Sequence, residues 1–389
     1  MGGVQYSSFL LARELQYQKE IKLLILLPCK GPFTILCEKN AIPFQIYPSK
    51  VFLSTSIKYF TDQFRLPNPI AWIHNIFSII YNSIQIKSIL KLHQNSVVLS
   101  KGLLSHLTTS LACRNTPHHL IWHLQDLISN RLGGFLNIII NWMAKKYPDQ
   151  IICDGISIQQ HLDPISQIKS TVILNGIDTA ELKRIEKYRI RIRQEFNMQT
   201  NAFVIGHVGR ITPWKGQIKL LNAFIKYSKI NSDAYLFLVG SPLFDDGKYY
   251  QKIKKIISQN GLDERVIVPG YRSDLNAIFS AMDLFIYPSL EKDTSPLALL
   301  SAISSGLPVA ISSIESLEEL VKNNNEIDRF DPRDSNSLLS IFKKYEDKEL
   351  RLKKGIINRS YGKKYFDIAC HTKNMNEVFN SVYFTKKML

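Results

Sequence analysis

Two cations and three glycines lie close together after one strand-like run. Residues 206–216 read Gly-His-Val-Gly-Arg-Ile-Thr-Pro-Trp-Lys-Gly, and a helical pattern follows. Glycine lets a backbone approach a ligand closely, and the N-terminus of a helix favours anions. Because Arg210 can form a forked contact and Lys215 supplies a point charge, the pair suits a diphosphate. We predict that this loop stabilises a nucleotide leaving group without a metal. An ordinary basic surface loop is the alternative.

A second segment places two carboxylates just before a helix. A strand-like run ends in Tyr-Pro-Ser at residues 287–289, a polar loop carries Glu291 and Asp293, and a helix is predicted to start near Pro296. In open α/β sheets, ligands bind in the crevice beyond the carboxyl ends of the strands. The carboxylates would accept sugar hydroxyls there, or in the alternative would act only as partners of the helix dipole. The helix N–H groups expected to face this crevice are those of Leu297 and Ala298.

The elements that must position these loops alternate along the chain. Helical and strand-like patterns follow one another, which favours α/β architecture with parallel sheets. A chain of 389 residues is long enough for two domains. We predict domains at 1–175 and 176–364, with a C-terminal helix at about 365–389 that packs back on the first.

The charge of the chain is strongly positive and unevenly distributed. It carries 49 Lys and Arg against 33 Asp and Glu, a formal net charge of +16. No block of five like charges and no recognition motif is present, so we expect no nucleic-acid partner. Residues 63–125 contain no Asp or Glu, which favours an anionic partner such as lipid headgroups or a phosphorylated substrate. A solubilising surface is the alternative.

The remaining composition excludes several classes of protein. Five scattered cysteines without CxxC spacing indicate reduced thiols rather than a zinc site or a disulfide framework. No signal peptide is evident, and no apolar run reaches the ~20 residues that a spanning helix needs. We therefore expect a soluble or peripheral protein.

One long helical pattern, which follows Pro69, has a membrane alternative. We expect its apolar stripe to belong to the core, and a contact with anionic lipid is the alternative. The stripe consists of Ile73, Ile76, Phe77, Ile80 and Ile84. The lipid contact would use Trp72, Phe77 and Tyr81, with Lys87 and Lys91 beyond them.

Together the motifs resemble those of the retaining nucleotide-sugar glycosyltransferases of family 4. The family's Gly-Arg…Lys-Gly loop matches residues 209–216, and its Asn-Gly-[Ile/Val]-Asp junction matches 175–178. Its Pro-Gly before a base-contacting loop matches 269–270, and its acidic residue before Glu-Ala-Met-x-x-Gly-x-Pro-Val matches the segment 293–309. Order and spacing agree over roughly residues 170–325. The N-terminal half agrees more loosely, at residues 2–5, 122–126 and 147–149.

The resemblance implies a fold and an activity. The fold is GT-B, with two Rossmann-like domains facing a cleft. The activity is a metal-independent, retaining hexosyl transfer from an NDP-sugar to a glycan or a polyprenyl- or lipid-linked acceptor. Such transfer serves cell-surface polysaccharide biosynthesis, including that of lipopolysaccharide. The resemblance further implies a cytoplasmic enzyme, or one at the inner face of the membrane, with no cofactor beyond the donor.

The resemblance also implies roles for single residues. Arg210 and Lys215 would hold the donor diphosphate, and Asp293 would bind hydroxyls of the transferred sugar. The leaving phosphate would help to deprotonate the acceptor. His123 is either a polar residue of the cleft or a satisfied core histidine, and Gln125 stands where the family has a histidine. The implied catalytic residues are Arg210, Lys215, Asp293 and His123. The implied donor-binding residues are Gly2, Gly3, Gly209, Tyr271, Arg272, Glu291, Leu297, Ala298 and Ser301, of which Tyr271 and Arg272 flank the nucleobase.

Two departures from the family pattern keep other functions open. Ser301 replaces an acidic residue that binds the nucleotide ribose, a loss of about 1.5–3 kcal/mol for a charge-assisted pair, unless Glu291 substitutes or the donor is read differently. Gly2-Gly3 has no strand before it, so we expect an N-terminal domain without its first strand, through either a start upstream of Met1 or a compromised domain. A catalytically impaired binding or assembly protein of GT-B fold and a nucleotide-sugar epimerase are the alternatives.

Overall fold

The alternating patterns of the sequence form parallel sheets with helices between them. The computed structural model describes residues 2–59, 61–125, 135–242, 247–291 and 293–385. Met1 and Asp126 of the sequence motifs lie outside these residues. The chain divides into two units, the first formed by Met1–Leu174 with Thr372–Leu389 and the second by Asn175–His371. The predicted α/β class is confirmed.

The first unit contains the sheets of the N-terminal half. Its elements are α1 (Gly3–Gln16), β1 (Ile25–Leu27), α2 (Pro32–Lys39), β2 (Phe44–Ile46), β3 (Ser56–Tyr59), β4 (Thr61–Pro67), α3 (Pro69–Leu90), β5 (Val97–Lys101), α4 (Leu103–Cys113), β6 (His119–Leu124), α5 (Phe135–Lys146), β7 (Gln150–Cys153), α6 (Ile156–Gln159), α7 (Pro164–Ile168) and β8 (Ser170–Val172). Strands β5-β6-β7-β8 form a parallel sheet, β1-β2 a separate parallel pair, and β3-β4 an antiparallel hairpin.

Strand β6 divides the core of the first unit into two faces. Every residue of β6 is buried, and successive side chains point to opposite sides of the sheet. Trp122 packs in a cluster with residues of α3, α4 and α5. Its neighbour Ile121 packs in the other cluster, with residues of α1 and of the C-terminal helix. Between them these helices cover both faces, as a sheet made of parallel strands requires.

Helix α3 corrects one expectation from the sequence. Its apolar stripe was expected in the core, but that expectation is wrong. The exposed fractions are 59% for Ile73, 56% for Ile76, 63% for Phe77, 46% for Ile80 and 59% for Ile84. The face that packs on the unit carries the small and polar side chains of Ala71, Ser78, Asn82 and Ser83, followed at the C-terminal end by apolar residues such as Ile86 and Leu90.

The second unit is built on one six-stranded parallel sheet in the order β11-β10-β9-β12-β13-β14. The elements are α8 (Glu186–Glu195), β9 (Val204–Val208), α9 (Gln217–Ser228), β10 (Tyr235–Val239), α10 (Gly247–Gln259), β11 (Val266–Gly270), α11 (Leu275–Ala281), β12 (Leu284–Tyr287), α12 (Leu297–Ser305), β13 (Val309–Ser312), α13 (Glu315–Leu320), β14 (Asp328–Phe330), α14 (Ser335–Lys344), α15 (Lys348–Tyr365) and α16 (Ile368–Thr385). From Thr372 onward α16 belongs to the first unit.

A buried ion pair ties α8 to the start of the central strands. Arg193 is 1% exposed and donates to Asp283 Oδ2 at 2.7 Å and to the carbonyl oxygens of Ala281 and Ala202 at 2.9 and 2.8 Å. Asp283 also accepts from Arg189 and from the Val204 N–H, each at 2.9 Å. These donors hold the pKa of Asp283 below its ordinary value although burial acts to raise it. The aspartate is therefore a buried carboxylate with all its partners in place.

Replacement of Asp283 by asparagine should strongly destabilise the second unit. The substitution leaves the Arg193 guanidinium buried without its anion, and breaking such a pair costs about 3–5 kcal/mol. The free energy of unfolding, from urea titration of the full chain, should fall by that amount. Asp263→Asn, at an exposed aspartate of the same unit, is the control and should change it by less than about 0.5 kcal/mol. Equal effects of the two substitutions would contradict the assignment.

Candidate functional site

The basic loop after β9 is held in place by one glycine in a left-handed conformation. A single 3-10 turn, Pro213–Lys215, leads into α9 through Gly216, which has φ 73°. A Cβ atom at position 216 would lie 1.9 Å from the carbonyl oxygen of Pro288. Only glycine therefore allows this loop to approach the segment after β12 so closely. The residue thus brings the two motifs of the sequence together in space.

The acidic loop after β12 is anchored at several points. The Leu290 N–H donates to the carbonyl oxygen of Trp214 at 2.8 Å. Asn175 forms two hydrogen bonds with Ser295. Its backbone N–H donates to Ser295 Oγ at 2.7 Å, and its Nδ2 donates to the Ser295 carbonyl oxygen at 3.0 Å. The Asp293 N–H donates to Ser316 Oγ at 3.0 Å. The carboxylate of Asp293 is therefore presented from a loop that is fixed on both sides.

Lys215, Asp293 and Tyr287 form the charged centre of the site. The Lys215 ammonium donates to Asp293 Oδ2 and to the Tyr287 hydroxyl. The Tyr287 hydroxyl lies 2.5 Å from Asp293 Oδ2, and the Lys215 Nζ lies 4.1 Å from the centre of the Trp214 ring. The side chains of Lys215 and Asp293 are only 10% and 15% exposed. Lys215 and Asp293 thus form an ion pair that is largely shielded from solvent, with the Trp214 ring beside the ammonium group.

Burial governs the titration of this cluster. It lowers the pKa of Lys215, while the adjacent Asp293 acts in the opposite direction and the positive charge of Arg210 lowers the pKa further. Burial, with the charge of Asp293, raises the pKa of Tyr287 well above its ordinary value. Tyr287 therefore remains a protonated phenol that donates to the carboxylate. Arg210 is thus near enough for its charge to act on Lys215, and their joint binding of a diphosphate stays a prediction.

A buried, uncharged histidine lies beside the backbone of the basic loop. His207 is fully buried, and burial lowers its pKa to about 4. Its Nδ1 lies 3.0 Å from the carbonyl oxygen of Ile286, and Gln217 donates to the Arg210 carbonyl at 2.7 Å. A Cβ atom at Gly209 would lie 3.0 Å from His207 Nε2. The glycine and the neutral imidazole thus determine where the backbone of Arg210 lies, while the Arg210 side chain is exposed.

The N-terminus of α12 lies just beyond the acidic loop. Pro296 is the N-cap residue and provides no side-chain acceptor. The first N–H groups of a helix have no partner within the helix, and here they belong to Leu297 and Ala298. Ser301, one turn further along, is buried at 5% exposure, whereas Glu291 is exposed. The structure therefore leaves the α12 amides near the site without a side-chain cap.

The two residues expected to flank a nucleobase differ from each other. Tyr271 is 59% exposed. Arg272 is engaged in a bidentate pair with Asp274 at 2.8 Å for both bonds, and it also donates to Glu195. These carboxylates raise the pKa of Arg272. Its guanidinium therefore has a structural role in joining β11 to α8, and contact with a base stays a prediction.

The remaining predicted residues lie in the first unit. His123 has no exposed surface, its Nε2 is 2.5 Å from Asp154 Oδ1, and burial lowers its pKa. Gln125 donates to Asp154 Oδ2 at 3.1 Å, so both side chains reach the same carboxylate. His123 is thus buried and paired with Asp154 through Nε2, while its Nδ1 is buried without a hydrogen-bond partner among the described residues, so its role stays a prediction. Gly2 is the N-cap of α1 and Gly3 its first residue.

Sequence reasoning missed Tyr287, Ser316 and Gln217. The signal for Tyr287 was its position as the last residue of a buried strand, before the Pro-Ser turn. The other two act through their contacts with Asp293 and Arg210, which no sequence pattern reveals. Within the part of the chain that the structure describes, no group of three His, Cys, Asp or Glu side chains could hold a metal ion.

Comparison with known sequences places the site within a family. Residues 189–361 match the family described as glycosyl transferases group 1. The UDP-Gal:alpha-D-GlcNAc-diphosphoundecaprenol alpha-1,3-galactosyltransferase of Escherichia coli is 31% identical over 222 residues, 50% of this chain and 53% of that protein. The lipopolysaccharide 1,2-N-acetylglucosaminetransferase of Salmonella typhimurium is 27% identical over 157 residues, 39% of this chain and 40% of that protein. The chain spans about half the length of the curated relatives it matches.

Solved structures similar to this chain cover nearly all of it. The Anabaena protein HepE in complex with UDP has a TM-score of 0.81 at 20% identity, over 98% of this chain and 96% of that one. A sucrose-phosphate synthase from Thermosynechococcus elongatus has a TM-score of 0.71 at 14% identity, over 93% and 96%. At these identities the likeness concerns the fold, and the predicted GT-B class is confirmed.

Alanine at position 216 should be poorly tolerated. It would incur the cost of a left-handed conformation, about 1–2 kcal/mol, together with about 1–3 kcal/mol for the contact with Pro288. Gly216→Ala should therefore lower the free energy of unfolding by about 2–5 kcal/mol in urea titration. Gly261→Ala is the matched control, because Gly261 has φ +61° and nothing within 4 Å of its Cβ position. If both variants lose the same stability, the close approach of the loops is wrong.

Proposed function

We propose that the chain is a glycosyl transferase of group 1, the family that residues 189–361 match, and that it transfers a sugar from a nucleoside-diphosphate donor to a glycan or lipid-linked acceptor. The observation that carries the proposal is the Lys215–Asp293–Tyr287 cluster beside Arg210 and the start of α12. It combines two cations, one carboxylate and a helix N-terminus on adjoining loops. No other arrangement among the described residues of the second unit brings these groups together.

The charges of the cluster suit a leaving diphosphate. Lys215 is paired with Asp293, and the Arg210 side chain is exposed. A bound diphosphate would share the Lys215 ammonium with Asp293 and engage Arg210 directly. Both cations would then stabilise the negative charge that develops as the sugar leaves, and the uncapped amides of α12 would assist. Because these groups supply the positive charge, the proposal needs no metal and no cofactor beyond the donor.

Asp293 and Tyr287 would act on the sugar side of the site. The second oxygen of the Asp293 carboxylate is a strong acceptor for sugar hydroxyls, and the protonated Tyr287 fixes the orientation of the first. Since both partners sit in a nearly dry environment, these hydrogen bonds are stronger than they would be in water. We therefore assign Asp293 to binding of the transferred sugar and Tyr287 to positioning Asp293.

UDP is the first nucleotide to test. The Escherichia coli relative is named as a UDP-Gal transferase, and the Anabaena neighbour was solved with UDP. For the acceptor, the names of two relatives refer to a diphosphoundecaprenol-linked sugar and to lipopolysaccharide. We propose an acceptor of this class, in cell-surface polysaccharide biosynthesis at the cytoplasmic side of the membrane. We also propose retention of configuration, which the proton–proton coupling at the anomeric carbon of the product would reveal.

Ser301 favours one second candidate, a protein that binds the donor but does not turn it over. Its hydroxyl is buried and lacks the charge of a carboxylate. Calorimetric binding of UDP together with absence of sugar transfer or donor hydrolysis would select this alternative. Conversion of the donor to an epimer without any acceptor would instead indicate an epimerase.

Removal of either cation should abolish transfer. Loss of a single preorganised donor to a developing charge costs about 10²–10³-fold, so kcat/KM should fall at least that far in Arg210→Ala and in Lys215→Ala. Release of UDP from a panel of UDP-sugars, with and without EDTA, provides the measurement. Lys229→Ala is the control, since Lys229 is an exposed lysine at the opposite end of α9. Full activity of both site variants would exclude the proposed function.

The alkaline side of the pH profile should report Lys215. Its folded-state pKa is lowered from the ordinary 10.5, and the diphosphate needs the protonated form. The value of kcat/KM should therefore fall as the pH rises through this lowered pKa. In Lys215→Arg the guanidinium stays protonated, so the decline should disappear even though activity is reduced. A decline at the same pH in both proteins would assign it to another group.

A further inference from the structure

Up to Ser83, helix α3 packs on the first unit with small and polar side chains, namely Ala71, Ser78, Asn82 and Ser83, all of them buried. Only its C-terminal end buries apolar side chains, those of Ile86, Ile89 and Leu90. The Ser83 hydroxyl lies 2.6 Å from the carbonyl oxygen of Ile79 and 2.9 Å from that of Thr108, and it shares its hydrogen between them. Soluble helices usually bury their apolar side, so the orientation of α3 needs a specific cause.

Two asparagines, seven residues apart on α3, supply that cause. Asn82 accepts from the N–H of Lys50 at 2.8 Å and donates to its carbonyl oxygen at 3.1 Å. Asn75 does the same for Leu53, at 2.8 and 2.9 Å. The segment 50–53 is thereby strapped along the helix. Rotation of α3 to bury its apolar side would break these four bonds.

The consequence is an apolar surface that faces solvent, here called the α3 surface. It consists of Ile70, Ile73, Ile76, Phe77, Ile80 and Ile84, with Val51 and Leu53 from the strapped segment. At 100° per residue, the helical members occupy an arc of roughly 120°. The exposed fractions of the surface residues run from 45% for Leu53 to 75% for Ile70 and Val51. A contiguous apolar surface of this kind marks a contact with a membrane or another protein.

The charge of the chain segment that contains the α3 surface favours an anionic partner. Between Glu38 and Asp126 the chain carries a single acidic residue, Asp62. The same stretch carries eight Lys and Arg residues, namely Lys39, Lys50, Lys58, Arg65, Lys87, Lys91, Lys101 and Arg114, of which Lys101 has a buried ammonium group. Lys87 and Lys91 continue the line of the apolar stripe beyond Ile84 at helical spacing. Lys50, on the strapped segment, lies with its Nζ 5.3 Å from the centre of the Tyr81 ring.

We propose that the α3 surface binds the face of a bilayer that contains anionic lipids. Large apolar side chains in line with lysines, and without acidic residues, match the acyl and headgroup layers of such a membrane. A helix of this kind lies in the interface, and in the described part of the chain no helix is long and apolar enough to cross a membrane. The inference does not rest on the proposed function, because membrane binding needs neither donor nor acceptor.

Co-sedimentation of the full chain with vesicles tests this inference. The vesicles contain phosphatidylcholine alone or with about 30% phosphatidylglycerol, at about 0.05 M and about 0.5 M NaCl. We expect binding to the anionic vesicles at low salt, and weaker binding at high salt or without phosphatidylglycerol. The double substitution Ile73→Ser with Phe77→Ser should weaken binding to the anionic vesicles about tenfold or more.

A matched pair elsewhere separates this site from general hydrophobicity. Leu352 and Ile356 have the same four-residue spacing on α15 of the second unit and are 56% and 73% exposed. The double substitution Leu352→Ser with Ile356→Ser should leave vesicle binding unchanged, and thermal unfolding should show that both variants remain folded. Absence of binding, equal binding by the α3 variant, or equal binding to neutral vesicles would each overturn the proposal. One further outcome would also overturn it. If the wild-type protein forms a dimer without lipid, does not bind vesicles, and becomes a monomer when the α3 residues are substituted, the surface joins two copies of the chain.

Discussion

A buried ammonium group needs an anion, and the site of the second unit is organised around that requirement at Lys215. Its charge is paired with Asp293, which is presented by a separate loop 78 residues further along the chain. For the pair to form, the loops after β9 and β12 must touch, and Gly216 permits this because its missing Cβ would overlap the carbonyl oxygen of Pro288. Asn175 and Ser316 then hold the acidic loop from the other side.

The same electrostatic rule produces a structural pair elsewhere in the unit. Arg193 donates to carbonyl oxygens and to Asp283, and Asp283 also accepts from Arg189 and from the backbone. The charged groups of that cluster are therefore paired with one another inside the protein. The Lys215 cluster differs because a second cation, Arg210, acts on Lys215 and has an exposed side chain. The two clusters use similar residue types, but in the Lys215 cluster the second cation lies at the surface, where an anion can reach it.

Hydrogen bonding also decided the orientation of α3. The helical spacing of Ile73, Phe77 and Ile84 correctly predicts a helix, but the expectation that this stripe is buried is wrong. Periodicity identifies an apolar side without identifying what covers it. The side that packs was chosen by Asn75 and Asn82, whose partners lie 22 and 32 residues away in sequence. These side-chain bonds to the backbone of Lys50 and Leu53 fix the orientation of the helix, and the apolar side faces solvent as a result.

The sequence by itself determined the α/β class, and it predicted the family resemblance and the two loops of the candidate site, because strand and helix periodicity and the spacing of glycines and charges are local properties. It did not determine what each side chain binds. His123 is sealed in a pair with Asp154, Arg272 is held by two carboxylates, and Tyr287 joins Lys215 to Asp293. Several of these contacts join residues far apart in the chain. Only the tertiary structure decides which charged groups are desolvated together, and desolvation determines whether a cation stabilises the fold or remains available to a ligand.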